Sequence, residues 1–175
     1  CLNNGMGIAF YSYSNNNHIL NNNILFNYAG IRFHGDYDDP DHFVHDNNII
    51  NNNCSYNNLN INLAYSNNNS YYLNSFYNAS NFNLYYSSNI WNSTSPMTYS
   101  YNGSQYTNYL GNYWDDYTDT DANGDGIWDN PYSIDGDQDY YPLKERVENY
   151  IEEENLPPIA NAGGSYFGNV NEPIQ

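Results

Sequence analysis

The chain has 175 residues, 37 of them Asn and 22 Tyr, and sets 20 Asp plus Glu against 3 Lys plus Arg for a net charge of −17. So acidic a chain, without a basic stripe, excludes nucleic acid as a partner and disfavours anionic membrane surfaces. No run approaches the roughly 18 apolar residues of a membrane-spanning helix, so direct membrane insertion of this stretch is not expected.

The charge is unevenly placed. Residues 1–31 and 47–114 contain no Asp, Glu, Lys or Arg, and the acids fall at Asp36–Asp46, Asp115–Asp139 and Glu145–Glu154, with Glu172 left over. A neutral stretch this long could be disordered, but regular Ile and aromatic residues argue for a packed core. Opening on Cys1 and stopping mid-pattern at Gln175, the chain reads as a piece of a longer protein.

Internal repeats set the expected architecture. Gly7-Ile8-Ala9-Phe10 recurs as Gly30-Ile31-Arg32-Phe33, Asn60-Ile61-Asn62-Leu63 and Asn81-Phe82-Asn83-Leu84, at steps of 23, 30 and 21 residues from Ile8. A second row runs Asn21-Asn22-Asn23-Ile24, Asn51-Asn52-Asn53-Cys54 and Asn74-Ser75-Phe76, at steps of 30 and 22. Both rows take their long step across an insertion at residues 34–41, which leaves a period of ~22. Short alternating runs point one side chain of each pair inward. We therefore expect an all-β, right-handed parallel β-helix of four or five coils over residues 1–114. Asn at the bends would accept left-handed conformations and bond its equivalents in adjacent coils as a ladder. An antiparallel sandwich would need hairpin signals every 8–12 residues, and only Asn102-Gly103 qualifies. Cys54 stands where Ile24 does and reads as a buried hydrophobe.

Three constellations carry possible chemistry. Residues 34–46, the insertion and the stretch that follows it, hold His34, His42 and His45 among Asp36, Asp38, Asp39, Asp41 and Asp46. Three histidines could hold copper or zinc, and the acids could serve a glycosidase. However, the next coils offer no charged partner and only Arg32 is a nearby base, so a hydrated acidic loop is the preferred reading. The tyrosines Tyr11, Tyr13, Tyr71, Tyr72, Tyr77, Tyr85, Tyr86, Tyr99 and Tyr101 exceed what an interior can take. Alternation within Tyr71-Tyr72 and Tyr85-Tyr86 turns one ring in and one out. Tyr72 and Tyr86 are thus candidates for stacking on an uncharged glycan, although aromatic stacks could serve the coils alone.

The third is Asp121-Ala122-Asn123-Gly124-Asp125-Gly126-Ile127-Trp128-Asp129. Calcium takes oxygen ligands at alternate positions of a tight loop, with Gly at the sixth. Asp121, Asn123, Asp125, the Ile127 carbonyl and Asp129 fill positions 1 to 9, and Asp119 could join them. Asp135, Asp137 or Asp139 could complete the shell. Position 12 is Tyr132, so the loop is not a complete EF-hand. The alternative is a solvated acidic turn held by its own hydrogen bonds. Beyond it, Leu143, Val147, Tyr150 and Ile151 give an apolar face to a short helix over 144–154, ending in a Pro linker.

Residues 111–143, GNYWDDYTDTDANGDGIWDNPYSIDGDQDYYPL, resemble the closing segment of secreted archaeal β-helix proteins grouped as NosD-like or carbohydrate-binding/sugar-hydrolase (CASH) repeats. Residues 89–110, NIWNSTSPMTYSYNGSQYTNYL, resemble their last coil. Residues 157–175, PPIANAGGSYFGNVNEPIQ, are similar to the opening of a polycystic-kidney-disease (PKD) domain. The resemblance implies coils over 1–114, a cap over 115–143, a helix and linker over 144–158, and a truncated PKD-like strand over 159–175. It also implies an extracellular or cell-surface location, with glycans or cell-envelope components as partners. The expected function is a non-catalytic structural or glycan-binding module with a calcium-stabilised cap. A polysaccharide-active enzyme and a copper-handling accessory protein are the alternatives, for a scaffold does not carry function with it.

Overall fold

The computed structural model describes residues 4–39, 42–78 and 82–150. Short strands follow one another as coils. The first is β1 (Met6–Tyr11), β2 (His18–Leu20) and β3 (Asn23–Leu25). The second is β4 (Ala29–His34), β5 (Val44–His45), β6 (Asn48–Ile50) and β7 (Asn53–Ser55). The third is β8 (Leu59–Ala64), β9 (Ser66–Tyr72) and β10 (Ser75–Phe76). In the fourth, β11 (Phe82–Tyr85) and β12 (Ser88–Ile90) are separated from β15 (Tyr113–Trp114) by a hairpin of β13 (Met97–Tyr101) and β14 (Ser104–Asn108). Equivalent strands pair in parallel as three sheets, β1-β4-β8-β11, β2-β6-β9-β12 with β5 also on β9, and β3-β7-β10-β15. The molecule is a parallel β-helix.

The register follows the repeat rows. Ile8 pairs with Ile31, Ile31 with Ile61 and Ile61 with Phe82, while Ile24 and Phe76 both pair with Cys54. Ile24, Ile31, Phe33, Ile49, Cys54, Ile61, Leu63 and Phe76 are fully buried. Stacking at one strand spacing puts like against like. Phe10 lies on Phe33, Tyr71 on Trp91, and Phe76 on Trp114, which lies on Tyr132. Burial pushes the Cys54 thiol up to about 12, so it packs as an inert hydrophobe.

Asparagine does two jobs at neighbouring positions. One Asn turns inward and bonds its equivalent in the next coil. Asn17, Asn47, Asn69 and Asn89 are linked Nδ2 to Oδ1 at 2.9, 2.8 and 2.9 Å. Asn22, Asn52, Asn74 and Asn112 are linked at 3.0, 3.0 and 2.9 Å. A third row joins Asn27 to Asn57. The residue before eight of the ten ladder members takes the left-handed conformation and turns away from the coil interior, Ser88 and Gly111 being the exceptions. It is Asn at 16, 21, 51 and 68, but Asp46, Leu73, Phe26 and Tyr56 at the others. The ladder therefore demands Asn, whereas the left-handed site only prefers it.

After the coils the chain crosses back over the last one. β16 (Tyr132–Ile134) and β17 (Asp137–Asp139) form a hairpin, with Ile134 in the main core. A second core under the Asp-rich loop joins Leu73, Tyr99, Tyr101, Leu110, Ile127, Leu143, Val147 and Tyr150. Two expectations change here. Asn102-Gly103 does turn a hairpin, inserted within the fourth coil, and it carries Tyr99 and Tyr101 inward. The helix expected over 144–154 is, among the described residues, a single 3-10 turn at Val147–Asn149. Leu143 is held extended by bridges to Tyr113 and Ile127, and Tyr150 is anchored through its hydroxyl to the Gly126 carbonyl. Ile151, the Pro linker and the PKD-like stretch lie outside the described residues.

Candidate functional site

The last coil of a parallel stack leaves unpaired N–H donors, and each Asn ladder runs donor-first toward it. A carboxylate, which only accepts, is the matching terminus. Asp137 Oδ2 accepts Asn89 N at 2.8 Å and Trp91 Nε1 at 2.9 Å. Asp139 Oδ2 accepts Asn112 N at 2.7 Å and Trp114 Nε1 at 2.9 Å, and its Oδ1 accepts Tyr141 N at 3.0 Å. Asp135 receives Leu84 N at 2.9 Å, and Asp115 receives Asn78 N at 2.9 Å. Asp135, Asp137 and Asp139 thus terminate the coils, and the structure does not direct them toward the 121–129 loop. Asp139 is wholly buried, which pushes its carboxyl up to about 7 despite the donors around it.

The 121–129 loop rests on the second core and is held by its own hydrogen bonds. Asp121 accepts Gly124 N and Gly126 N, Asn123 accepts Asp125 N, and Asp125 accepts Ile127 N. Gly126 has φ +86° and lies on the Tyr101 ring, where a Cβ would come within 2.8 Å. The Asp121 side chain is 1% exposed and pairs with Lys144 at 3.0 Å. Asp125 also takes the Asn108 and Asn123 amides. Asp129 bonds Ala122 N, and Asp119 turns to Asn130, whose side-chain amide leads the contacts that hold its carboxyl below the usual range. Among the described residues, no three His, Cys, Asp or Glu side chains are grouped so as to hold a metal ion.

The histidines of the insertion have separate partners. His42 contacts Asp39 at 3.2 Å, Asp36 at 3.7 Å and the Tyr13 hydroxyl. His45 pairs with Asp46 at 2.6 Å, and Asp46 also takes the Asn68 amide. His34 ends β4 with its ring edge-on to Tyr11. Asp36 and Asp39 thus face their own loop and Asp46 reaches Asn68 of the next coil, while Asp41 lies outside the described residues.

What the insertion builds is aromatic. Tyr37 and Phe43 pack on Tyr65, which stacks on Tyr86 at 5.8 Å with ring planes 9° apart. With Asn67, Ser87 and Ser88 they line a groove of about 390 Å³ at the corner between the first two sheets. Tyr65 and Tyr86 both have positive φ, at 50° and 45°. Tyr86 is 68% exposed. Of the tyrosine pairs, Tyr71 turns inward as expected, but Tyr85 and Tyr86 both stay outside, because Tyr86 begins the bend and breaks the alternation. Tyr72 is half-buried against the second core, away from this groove. Nothing in the spacing pointed to Tyr37, Phe43 and Tyr65 as a group; only the insertion's Tyr-and-Phe content was a signal.

Comparison with curated proteins and with solved structures finds no match for the chain. A family model does match, over residues 2–119: the periplasmic copper-binding protein NosD. That span covers the parallel coils and more than half of the chain, and on this ground the chain belongs to the NosD family.

Proposed function

We propose that this chain is a non-catalytic module, working outside the cytoplasm, whose corner groove stacks the apolar sugar faces of an envelope or cell-surface glycan. The conformation of Tyr65 and Tyr86 carries the reading. A bulky side chain in a left-handed bend is strained by roughly 1–2 kcal/mol, and this chain places Asn in that conformation at 16, 21, 51, 68, 78 and 102. Tyr at both positions supplies ring surface where Asn would fold more easily. Sugar C–H faces pack on such rings, and the Asn67 amide and Ser87 and Ser88 hydroxyls suit sugar hydroxyls. No carboxylate, imidazole or amine lines the groove, which supports binding over catalysis. The periplasmic description of the family supports the location. Calorimetric titration with neutral polysaccharides tests the reading: wild type binds, and Tyr86→Ala loses about tenfold or more. Undiminished binding by that variant, or none by wild type, overturns it.

Copper, which the family's description names, does not fit the described side chains. His42 and His45 pair with different acids, His34 lies edge-on to Tyr11 apart from them, Cys54 is buried, and the Met6 sulfur faces the Tyr11 hydroxyl and the Arg32 guanidinium.

Calcium belongs to the proposal as a stabiliser of the cap. The loop supplies hard oxygen donors at alternate positions, but Lys144 already neutralises Asp121. Calcium would compete with that ammonium for the buried carboxylate. A melting temperature that rises with calcium and falls with chelator supports this; indifference to both removes it.

A further inference from the structure

The outer face of the first sheet adjoins the aromatic groove through Tyr85 and Tyr86. Two rows face outward across it. One is Ala9, Arg32, Asn62 and Asn83, and the other Tyr11, His34, Ala64 and Tyr85. Arg32 is the sole Lys or Arg before residue 144 in a chain with 20 acids. The other two cations are ion-paired, Lys144 with Asp121 at 3.0 Å and Arg146 with Glu148 at 3.8 Å. Arg32 has no carboxylate partner among the described residues. Its Nη1 lies 4.0 Å from the Met6 sulfur, a weak acceptor, and its Nε is buried without a hydrogen bond. A buried Nε–H without a partner is a donor in want of an acceptor.

The acids closest in sequence are engaged elsewhere: Asp36 and Asp39 with His42, Asp46 with His45 and Asn68. Around Arg32 the face is neutral and polar. Asn62 and Asn83 bond each other at 3.1 Å, and Tyr11 is 50% exposed beside His34.

We infer that Arg32 receives the carboxylate of an acidic sugar, so that the glycan held by this face and the adjoining groove contains uronate residues. The inference rests on the glycan reading above and adds the charge of the ligand. A planar guanidinium fork takes a carboxylate through two parallel hydrogen bonds, which a neutral sugar cannot offer. The unpaired Nε of Arg32 gains an acceptor when the side chain moves onto the ligand. The Asn62 and Asn83 amides bond adjacent hydroxyls, and Tyr11 packs beside the ring.

The test uses alginate, carboxyl-reduced alginate and dextran sulfate, titrated calorimetrically into wild type, Arg32→Gln and Tyr86→Ala, with melting temperatures to confirm folding. Wild type should bind alginate about tenfold tighter than its carboxyl-reduced form, the size of one charge-assisted hydrogen bond. Arg32→Gln should erase that preference and leave binding of the reduced polymer unchanged. Equal affinity of wild type for both forms, a preference that survives Arg32→Gln, or tighter binding of dextran sulfate than alginate overturns the inference. If the reduced polymer still binds through Tyr86 in those cases, the glycan reading stands alone. If no polymer binds, both fall.

Discussion

The coils and the segment that closes them solve the same problem with opposite chemistry. Across the coils, the buried polar side chains are amides and hydroxyls that both give and accept hydrogen bonds, so each ladder continues without charge. In the closing segment the polar groups are carboxylates that only accept. The change falls where the ladders run out of partners: Asn89 meets Asp137 and Asn112 meets Asp139. The concentration of acids after residue 114 is therefore, in part, a structural terminus and not a collection of ion ligands.

The sharpest way to break the contrast is to interrupt a ladder from within. Asn52→Leu removes the acceptor of the Asn22 backbone N–H and side-chain amide and the donor to the Ile19 carbonyl, while Asn74 Oδ1 keeps only the backbone N–H of residue 52. At ~1–3 kcal/mol for each orphaned group, a loss of about 4 kcal/mol in denaturant unfolding is expected. A loss under about 1 kcal/mol would mean that the ladder follows from the coil and does not hold it.

Next comes the terminus. Burial raises the Asp139 carboxyl from its ordinary 3.8 to about 7 in the folded state. A raised carboxyl contributes stability that is fully present below the unfolded value and is lost as pH rises through the folded one. The melting temperature of wild type should therefore fall between about pH 4 and pH 8 more steeply than that of Asp139→Asn. Parallel profiles for the two proteins would remove Asp139 from the account.

Smaller effects follow at the loop and at the bends. Lys144→Met leaves the Asp121 carboxylate buried and unpaired. The cost should lie between the ~1 kcal/mol of an exposed pair and the ~3–5 kcal/mol of a buried one, because Lys144 is itself partly exposed. Calcium should restore some of that loss, and a variant as stable as wild type in chelator would argue that the pair contributes nothing. The smallest change in stability is expected for Tyr86→Asn, which suits a left-handed bend better. Its melting temperature should stay level or rise slightly while glycan binding drops; a clear fall would assign the Tyr65–Tyr86 stack to folding.

The coil register was legible because inward Ile, Phe and Leu repeat at one spacing, and Cys54 could be placed by standing where Ile24 does. The ladders were legible as Asn clusters, but not which Asn does which job, since 51 and 52 are the same residue with opposite orientations. The terminus was illegible for a plainer reason. An Asp that accepts N–H donors and one that holds a cation are the same letter, and alternate spacing, natural to a hairpin such as β16–β17, imitates a ligand loop. The aromatic groove was half legible. Exposed Tyr86 followed from an excess of tyrosine, but its neighbours Tyr37 and Phe43 meet it only through the fold of the insertion.

The ladders also give the molecule a direction. Each amide in a row points its N–H toward the C-terminal end and its carbonyl toward the other, so their dipoles add along the stack as peptide dipoles do in an α-helix. The C-terminal end is the positive pole, and Asp115, Asp135, Asp137 and Asp139 sit on it as anions sit at a helix N-terminus. An added coil should therefore be accepted most easily where it keeps the same Asn polarity and leaves those four carboxylates at the pole.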